Sequence, residues 1–238
     1  AFGQNISYPK LAKFITGKYK TLAVIYANND FGKGGRDTLT KLLEGTQTKV
    51  VADISTDAGA VDFSAAVLKA KQSDADAIFV VTNEEESARM LREFRKQGVK
   101  KPLIGETTLI GQKVIELAGD SANGALGHVG LTVEAAPLKA FGAKYKAEYK
   151  SETDHNGIKG YTGVYVLKAA IEKVGKLDRK AVAAAIRGGC FNTKQTPGIL
   201  MDVCFDDKGD LDRESFMVEV KNGHQVVTAT LPPLNAKK

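Results

Sequence analysis

From Leu22 to Gly130 the chain alternates short, nearly uninterrupted apolar runs with amphipathic stretches. Leu22–Tyr26 reads LAVIY and Ala77–Val81 reads AIFVV. A strand that is apolar at every position has no face left for water, so it belongs inside a sheet covered on both sides. Helical stretches between such strands make parallel crossovers the natural connection. The pattern predicts strands over Leu22–Tyr26, Lys49–Ile54, Ala77–Val81, Pro102–Gly105 and Ala125–Gly130. It predicts helices over Tyr8–Gly17, Gly34–Leu43, Phe63–Gln72, Glu85–Gln97 and Gln112–Ala118. In the first of these, Leu11, Phe14 and Ile15 share a face. Together they form a complete doubly wound α/β lobe.

At Glu134-Ala135-Ala136-Pro137 the pattern changes. Helices are expected over Leu138–Lys150, Gly163–Val174 and Arg179–Arg187, and strands only over Gly198–Phe205 and Phe216–Lys221, with Val226–Thr230 a further candidate. Three long helices need a sheet to bury their apolar faces. The chain after Val133 supplies too few strands for one.

Composition narrows the function classes. Hydrophobic residues make up 43% and charged residues 26% of 238, as in ordinary globular proteins. No apolar stretch reaches the roughly 18 residues of a membrane span. Ala1-Phe2-Gly3-Gln4 carries no basic-plus-apolar leader, so a signal peptide is expected to be absent from this sequence. The net charge of +6 is spread among acids rather than gathered into a nucleic-acid-binding stripe. Its densest stretch, Ala88–Lys101, spaces Met90, Leu91 and Phe94 as an amphipathic helix with a solvated charged face.

Catalytic and metal signatures are missing. His128 falls in an expected strand, His155 in a polar loop and His224 in a turn, none within a zinc or metalloprotease motif. No nucleophile elbow and no dinucleotide fingerprint occurs. Gly32-Lys33-Gly34-Gly35 has the wrong spacing for a phosphate loop, and Asp206-Asp207-Lys208-Gly209-Asp210 lacks the later glutamate of a calcium loop. The expectation is a binding module with no cofactor and no metal rather than an enzyme. Cys190 and Cys204 flank a Thr196-Pro197-Gly198 turn and suit no zinc pattern. Two readings are open. They are buried free thiols, or a disulfide closing a loop of about 15 residues, worth roughly 3 kcal/mol and fitting an oxidising compartment.

A doubly wound lobe binds ligands where the carboxyl ends of its strands meet helix N-termini. Those ends carry Asn28–Phe31, Thr82–Glu86 and Glu106–Thr108. Each residue also has a purely structural reading. Phe31 can plug a strand–helix corner, and Asn83 can cap the helix after it. Glu84, Glu85 and Glu86 suit the first turn of a helix electrostatically.

Leu22–Gly35 (LAVIYANNDFGKGG), then Asp62-Phe63-Ser64 followed by Lys71, then the strand Ala77–Val81, appear in a set order. That order resembles the periplasmic solute-binding proteins of branched-chain amino-acid ABC importers, in which a strand leads into (D/N)xxYGxG, then DFSxxxxxxK, then a DAI-type strand. Tyr161 heads GYTGVYVLKAAI, similar to that family's YDAVxLLAxAI. The resemblance implies an α/β type I periplasmic-binding-protein fold. Residues 4–133 and 214–238 would form the second, ligand-binding lobe, and 134–213 a mostly helical partial first lobe. About 120 residues that open the family's first lobe, the length of an ordinary domain, would lie outside this sequence.

The implied function is capture of a small organic ligand by hinge closure, followed by delivery to the membrane permease of an ABC importer. The ligand would be an amino acid, a related carboxylate or amide, or an aromatic acid. The full-length protein is expected to be a monomer in the periplasm, without nucleic-acid partners. Two other readings are a ligand-sensing domain of a regulator or receptor with the same fold, and an α/β hydrolase-type enzyme. The family's ligand-packing aromatic falls on Phe31, a second aromatic on Asn83, and the acid that meets the ligand's ammonium on Thr107, with Glu106 adjacent. Tyr161 would lie near the hinge face of the first lobe; the apolar periodicity it shares with Tyr165, Leu167 and Ile171 also fits a core tyrosine. Asn at 83 and Thr at 107 remove a stacking ring and a cation partner, so the resemblance implies a ligand other than a standard branched-chain amino acid unless Glu106 meets the ammonium.

Overall fold

The computed structural model describes residues 2–196 and 198–234. They form two compact units. The larger comprises Ser7–Val129 and Met217–Ala229, and the smaller holds Gly130–Phe216 with the chain's two ends.

The larger unit is built on a sheet of order β2-β1-β3-β4-β5-β8-β9. Its strands are β1 Thr21–Ala27, β2 Lys49–Thr56, β3 Ala77–Val81, β4 Leu103–Glu106, β5 Leu126–Val129, β8 Ser215–Lys221 and β9 His224–Leu231. The first five pair in parallel. β8 and β9 are joined by Asn222-Gly223, both at positive φ (50° and 79°). This is the mirror-image turn that suits a twisted hairpin, so the last pair runs antiparallel. β1 and β3 are buried almost throughout, as their continuous apolar sequence requires. β2, at the edge, alternates exposed with partly buried positions before burying Ile54.

The helices of this unit are α1 Gln4–Thr16, α2 Asp30–Leu43, α3 Ser64–Gln72, α4 Glu84–Lys96, α5 Thr107–Ile110 and α6 Gln112–Ala118. α1 begins four residues before the expected Tyr8 and continues through Pro9. A proline in the second turn removes one backbone bond but does not end the helix. Tyr8 then meets Phe79 edge-on at 5.8 Å, both fully buried. α2 begins at Asp30, not Gly34, because the Asn29 side chain accepts the Gly32 N–H at 2.8 Å and caps the helix. Gly32 is there for space: a Cβ on it would overlap the Ala27 carbonyl where the helix turns back on β1.

The basic stretch on α4 has the solvated charged face expected of it, with Arg92, Arg95 and Lys96 exposed opposite buried Met90, Leu91 and Phe94. Arg92 donates to the Leu117 carbonyl, and Arg95 donates to Ser121 (3.2 Å) and Asn123 carbonyls. These are carbonyls at the end of α6, in the 3-10 turn Gly119–Ala122 that follows, and at Asn123 just beyond it. The helix end leaves them without intrahelical donors, and the guanidinium groups supply them.

The smaller unit contains α7 Lys139–Tyr149, α8 His155–Val174, α9 Arg179–Ile186 and a two-stranded antiparallel ribbon of β6 Cys190–Phe191 and β7 Val203–Cys204. Its core gathers Val166 and Ala170 of α8, Val182 of α9, Phe191, Ile199 and Val203. The expected strand over Gly198–Phe205 shrinks to Val203–Cys204, and its partner Cys190–Phe191 went unforeseen because two residues leave no periodicity to read. α8 starts at His155, well before Gly163. Asp154 caps it by accepting the N–H groups of Asn156 (2.9 Å) and Gly157 (3.0 Å). Cys190 and Cys204 face each other across the ribbon and are joined by a disulfide. Gly198 sits at φ 95°, where a Cβ would also strike the Tyr165 ring; Pro197 lies outside the described residues. The acids of 206–210 serve a turn: Asp206 accepts the N–H groups of Lys208 (2.9 Å) and Asp210 (2.8 Å), and Gly209 takes φ 88°.

Candidate functional site

The carboxyl ends of β1, β3 and β4 lie side by side, with Tyr26 opposite Val81 and Val80 opposite Gly105. Three of the five expected ligand-side positions follow these strands directly. Phe31 occupies the first turn of α2, held by the Asn29 cap and by the close approach of Gly32 to β1. Asn83 is the exposed N-cap residue of α4. Thr107 opens α5 and is half-buried. Tyr161 belongs to the smaller unit, on α8, where its ring lies 4.9 Å from Phe141 and 5.0 Å from Tyr165.

Asn83 has the structural role that its sequence position allowed. Glu86, three residues on, accepts the Asn83 backbone N–H at 2.9 Å and its side-chain amide at 3.1 Å, closing a capping box. The other oxygen of Glu86 accepts the Gly59 N–H at 2.6 Å. Glu86 is therefore more than a dipole partner. Almost completely buried, it ties the loop after β2 to the start of α4. Glu84 and Glu85 stay on the surface side of that turn. A depression of about 720 Å³ opens here, lined by Gly59, Val61, Asn83, Glu84, Glu85, Glu86, Arg89 and Thr108. Asn83 lines it; Phe31, Glu106 and Thr107 do not.

Glu106 ends β4 with its carboxyl turned toward α1, where the Ser7 hydroxyl bonds it. Burial, only partly offset by that bond, raises its pKa to about 7. In register beside it stands His128 of β5. Burial, reinforced by the positive charge of Lys10, lowers the His128 pKa to about 3 and keeps the imidazole neutral. Tyr8 completes the group: burial and the Glu106 charge push its phenol well up, and its Oη has no hydrogen-bond partner among the described residues. Parallel-strand register places Phe79, Ile104, Glu106 and His128 on one face of the sheet, the face that α1 covers. The sequence offered no sign of this cluster, because Ser7 and Glu106 are brought together only by the docking of α1. Among the described residues no group of three or more His, Cys, Asp or Glu side chains could hold a metal ion.

Known proteins resemble this chain along most of its length. The Periplasmic binding protein family profile matches residues 3–225. The leucine-, isoleucine-, valine-, threonine- and alanine-binding protein of Pseudomonas aeruginosa is 29% identical over 217 residues, 90% of this chain and 57% of that protein. The Leu/Ile/Val/Thr-binding protein of Salmonella typhimurium is 25% identical over 93% of the chain and 59% of its own length. Among solved structures, the leucine-binding protein of Thermotoga maritima superposes with a TM-score of 0.81 at 24% identity, covering 95% of this chain and 65% of that one. A solute-binding protein of Rhodopseudomonas palustris in complex with benzoate superposes with a TM-score of 0.85 at 18% identity, over 97% of this chain and 64% of the other. The chain spans a little over half the length of the curated relatives it matches. With a profile match across nearly the whole sequence and the same α/β architecture in solved neighbours, the chain belongs to the periplasmic binding protein family.

Proposed function

We propose that this chain carries the solute-capturing part of an ABC importer's binding protein, working in the periplasm and handing a small organic solute to a membrane permease. The observation that supports this reading is the position of Phe31, Asn83 and Thr107, each following the carboxyl end of one of three adjacent strands. These are the ends where a doubly wound sheet offers helix N-termini and loops to a ligand. Residues 4–133 and 214–238 act as the second lobe and 134–213 as part of the first. Hinge closure follows from binding when the ligand favours the closed state over the open one. The full-length protein works as a monomer.

The chemistry of the β4 end narrows the solute. Thr107 offers a hydroxyl where an ammonium would need an anion, and the Glu106 carboxyl is engaged by Ser7 and half neutral near pH 7. An ammonium buried against these groups would lack a full counter-charge, which is costly. The solute that fits presents a carboxylate, an amide or an aromatic acid to this unit. Native mass spectrometry and calorimetry with benzoate, a primary amide and L-leucine test the reading. Benzoate or the amide should bind more tightly than L-leucine, and Phe31→Ala should weaken that binding by about 1 kcal/mol or more, as for a buried aromatic anchor. Preference for L-leucine would overturn the solute class; unchanged affinity in the Phe31 variant would remove that residue from the site.

A further inference from the structure

Glu106 stands between the strand ends and a buried polar cluster. The residue after it, Thr107, opens α5 where the carboxyl ends of β1, β3 and β4 lie side by side. Its carboxyl is turned the other way, toward α1, where the Ser7 hydroxyl donates to it. From α1 come Ser7, Tyr8 and Lys10, each almost completely buried, and from β5 comes His128, in register with Glu106. β3 brings only apolar residues, Ala77–Val81. The acids of α4 are engaged elsewhere: Glu86 accepts from Asn83 and Gly59, and Glu84 lies by Gly111 beyond α5. All these groups belong to the larger unit.

Among Tyr8, Glu106 and His128, only Glu106 changes charge near neutral pH. The imidazole stays neutral, since burial beside Lys10 lowers the His128 pKa to about 3. The Tyr8 phenol is pushed up and keeps its proton. An ionised carboxylate can accept several hydrogen bonds, and Ser7 supplies one. Burial therefore outweighs that bond, and Glu106 titrates at about 7. The carboxyl is a charge that can be switched off one residue away from the strand end.

We propose that Glu106 is a specificity-determining residue that makes capture of a carboxylate solute proton-linked. The anion binds the form in which Glu106 is neutral, and a proton from solvent goes onto a carboxylate oxygen of Glu106 as it binds. This rests on the solute class argued above. Two carboxylates close together in a partly buried site do not both stay ionised, so the bound anion raises the proton affinity of Glu106. Linkage is reciprocal: the proton raises the affinity for the anion by the same factor. Consecutive residues stand about 3.8 Å apart along the chain, so a solute carboxylate held at Thr107 is close to Glu106. Like charges at such range within a protein are worth about tenfold in affinity. A neutral amide meets no such repulsion and binds without a proton. Glu106 acts through its charge rather than by touching the solute.

Calorimetry of the chain with benzoate and with benzamide tests this, in buffers whose different ionisation enthalpies count the protons exchanged. At pH 7 benzoate should bind with uptake of about half a proton, and benzamide with none. Benzoate affinity should fall about tenfold from about pH 6 to about pH 8.5, while benzamide affinity stays level. Glu106→Gln should abolish the uptake and hold benzoate at its low-pH affinity. Ser7→Ala removes a donor that favours the ionised form, so the midpoint of the benzoate profile should move to higher pH, a shift that a merely structural loss would not give. Benzoate binding with no uptake and a level profile would overturn the linkage alone, as would uptake that survives in Glu106→Gln. Binding of neither solute would overturn the solute class and this proposal with it. An infrared titration of the solute-free chain follows the same carboxyl directly, identified by its loss in Glu106→Gln. A midpoint near the ordinary 4.5 would overturn the proposal whatever the calorimetry shows.

Discussion

The two units reach order by different means. In the larger one, β1 and β3 are buried on both sides and helices close over them, so a single lost contact is shared among many neighbours. The smaller one gathers a cluster of only six buried residues around α8 and α9, has two strands of two residues each, and carries a covalent bond between them. A core that small recovers little of the conformational entropy lost on folding, and a cross-link lowers that loss by restricting the unfolded chain. The lesson is that the disulfide sits where burial is thinnest.

The comparison can be broken most forcefully from the larger unit. Phe79→Ala, at a fully buried ring against Tyr8, should cost that unit about 3–5 kcal/mol. Differential scanning calorimetry should show one transition falling while the other holds; a common shift would mean that the two units unfold as one. Next in size is Cys190→Ser/Cys204→Ser, expected to remove about 3 kcal/mol from the smaller unit alone. A larger-unit transition that moves equally would refute the separate accounting.

Titration sharpens the contrast, since Glu106 and His128 both lie in the larger unit. Glu106 binds its proton more tightly folded, at about 7 against an ordinary 4.5, so stability falls as pH rises between those values. His128 binds its proton less tightly folded, at about 3 against 6.5, so stability falls as pH drops between 6.5 and 3. From about 4.5 to 6.5 the two slopes oppose each other, and urea denaturation should find a plateau there, with losses on either side. Glu106→Gln should remove the decline above the plateau and leave the one below it. A variant with an unchanged profile would show that Glu106 does not set the upper edge. The smallest effect belongs to Asn29→Ala, which removes the α2 cap and should cost about 1 kcal/mol, read from the same urea curves.

What could be read from the sequence follows the same division. LAVIY and AIFVV announced their strands because burial on both faces leaves a continuous apolar run, and the alternation with helices gave the sheet class. The starts of α2 and α8 were hidden, because Gly32, Gly157 and Gly160 read as loop while the caps at Asn29 and Asp154 carry the helical signal. The exposure of Arg92 and Arg95 was legible, whereas their partners were not, because these are backbone carbonyls, which no side-chain pattern reports. In the candidate site, the positions of Phe31, Asn83 and Thr107 at strand ends were legible. The Ser7–Glu106 contact and its register neighbour His128 were not, because they depend on how α1 seats on the sheet.

The order of the chain has a consequence for its synthesis. The larger unit draws on residues 7–129 and then on 217–229, so the hairpin that lies beside β5 leaves the ribosome only after all of 130–216. At about 5–20 residues per second, that interval is about 4–17 s. Throughout it, β5 presents an unpaired edge, the kind of surface on which chains add to one another. Nascent-chain protection of this one edge, more than the stability of the finished fold, should set how much protein a cell recovers.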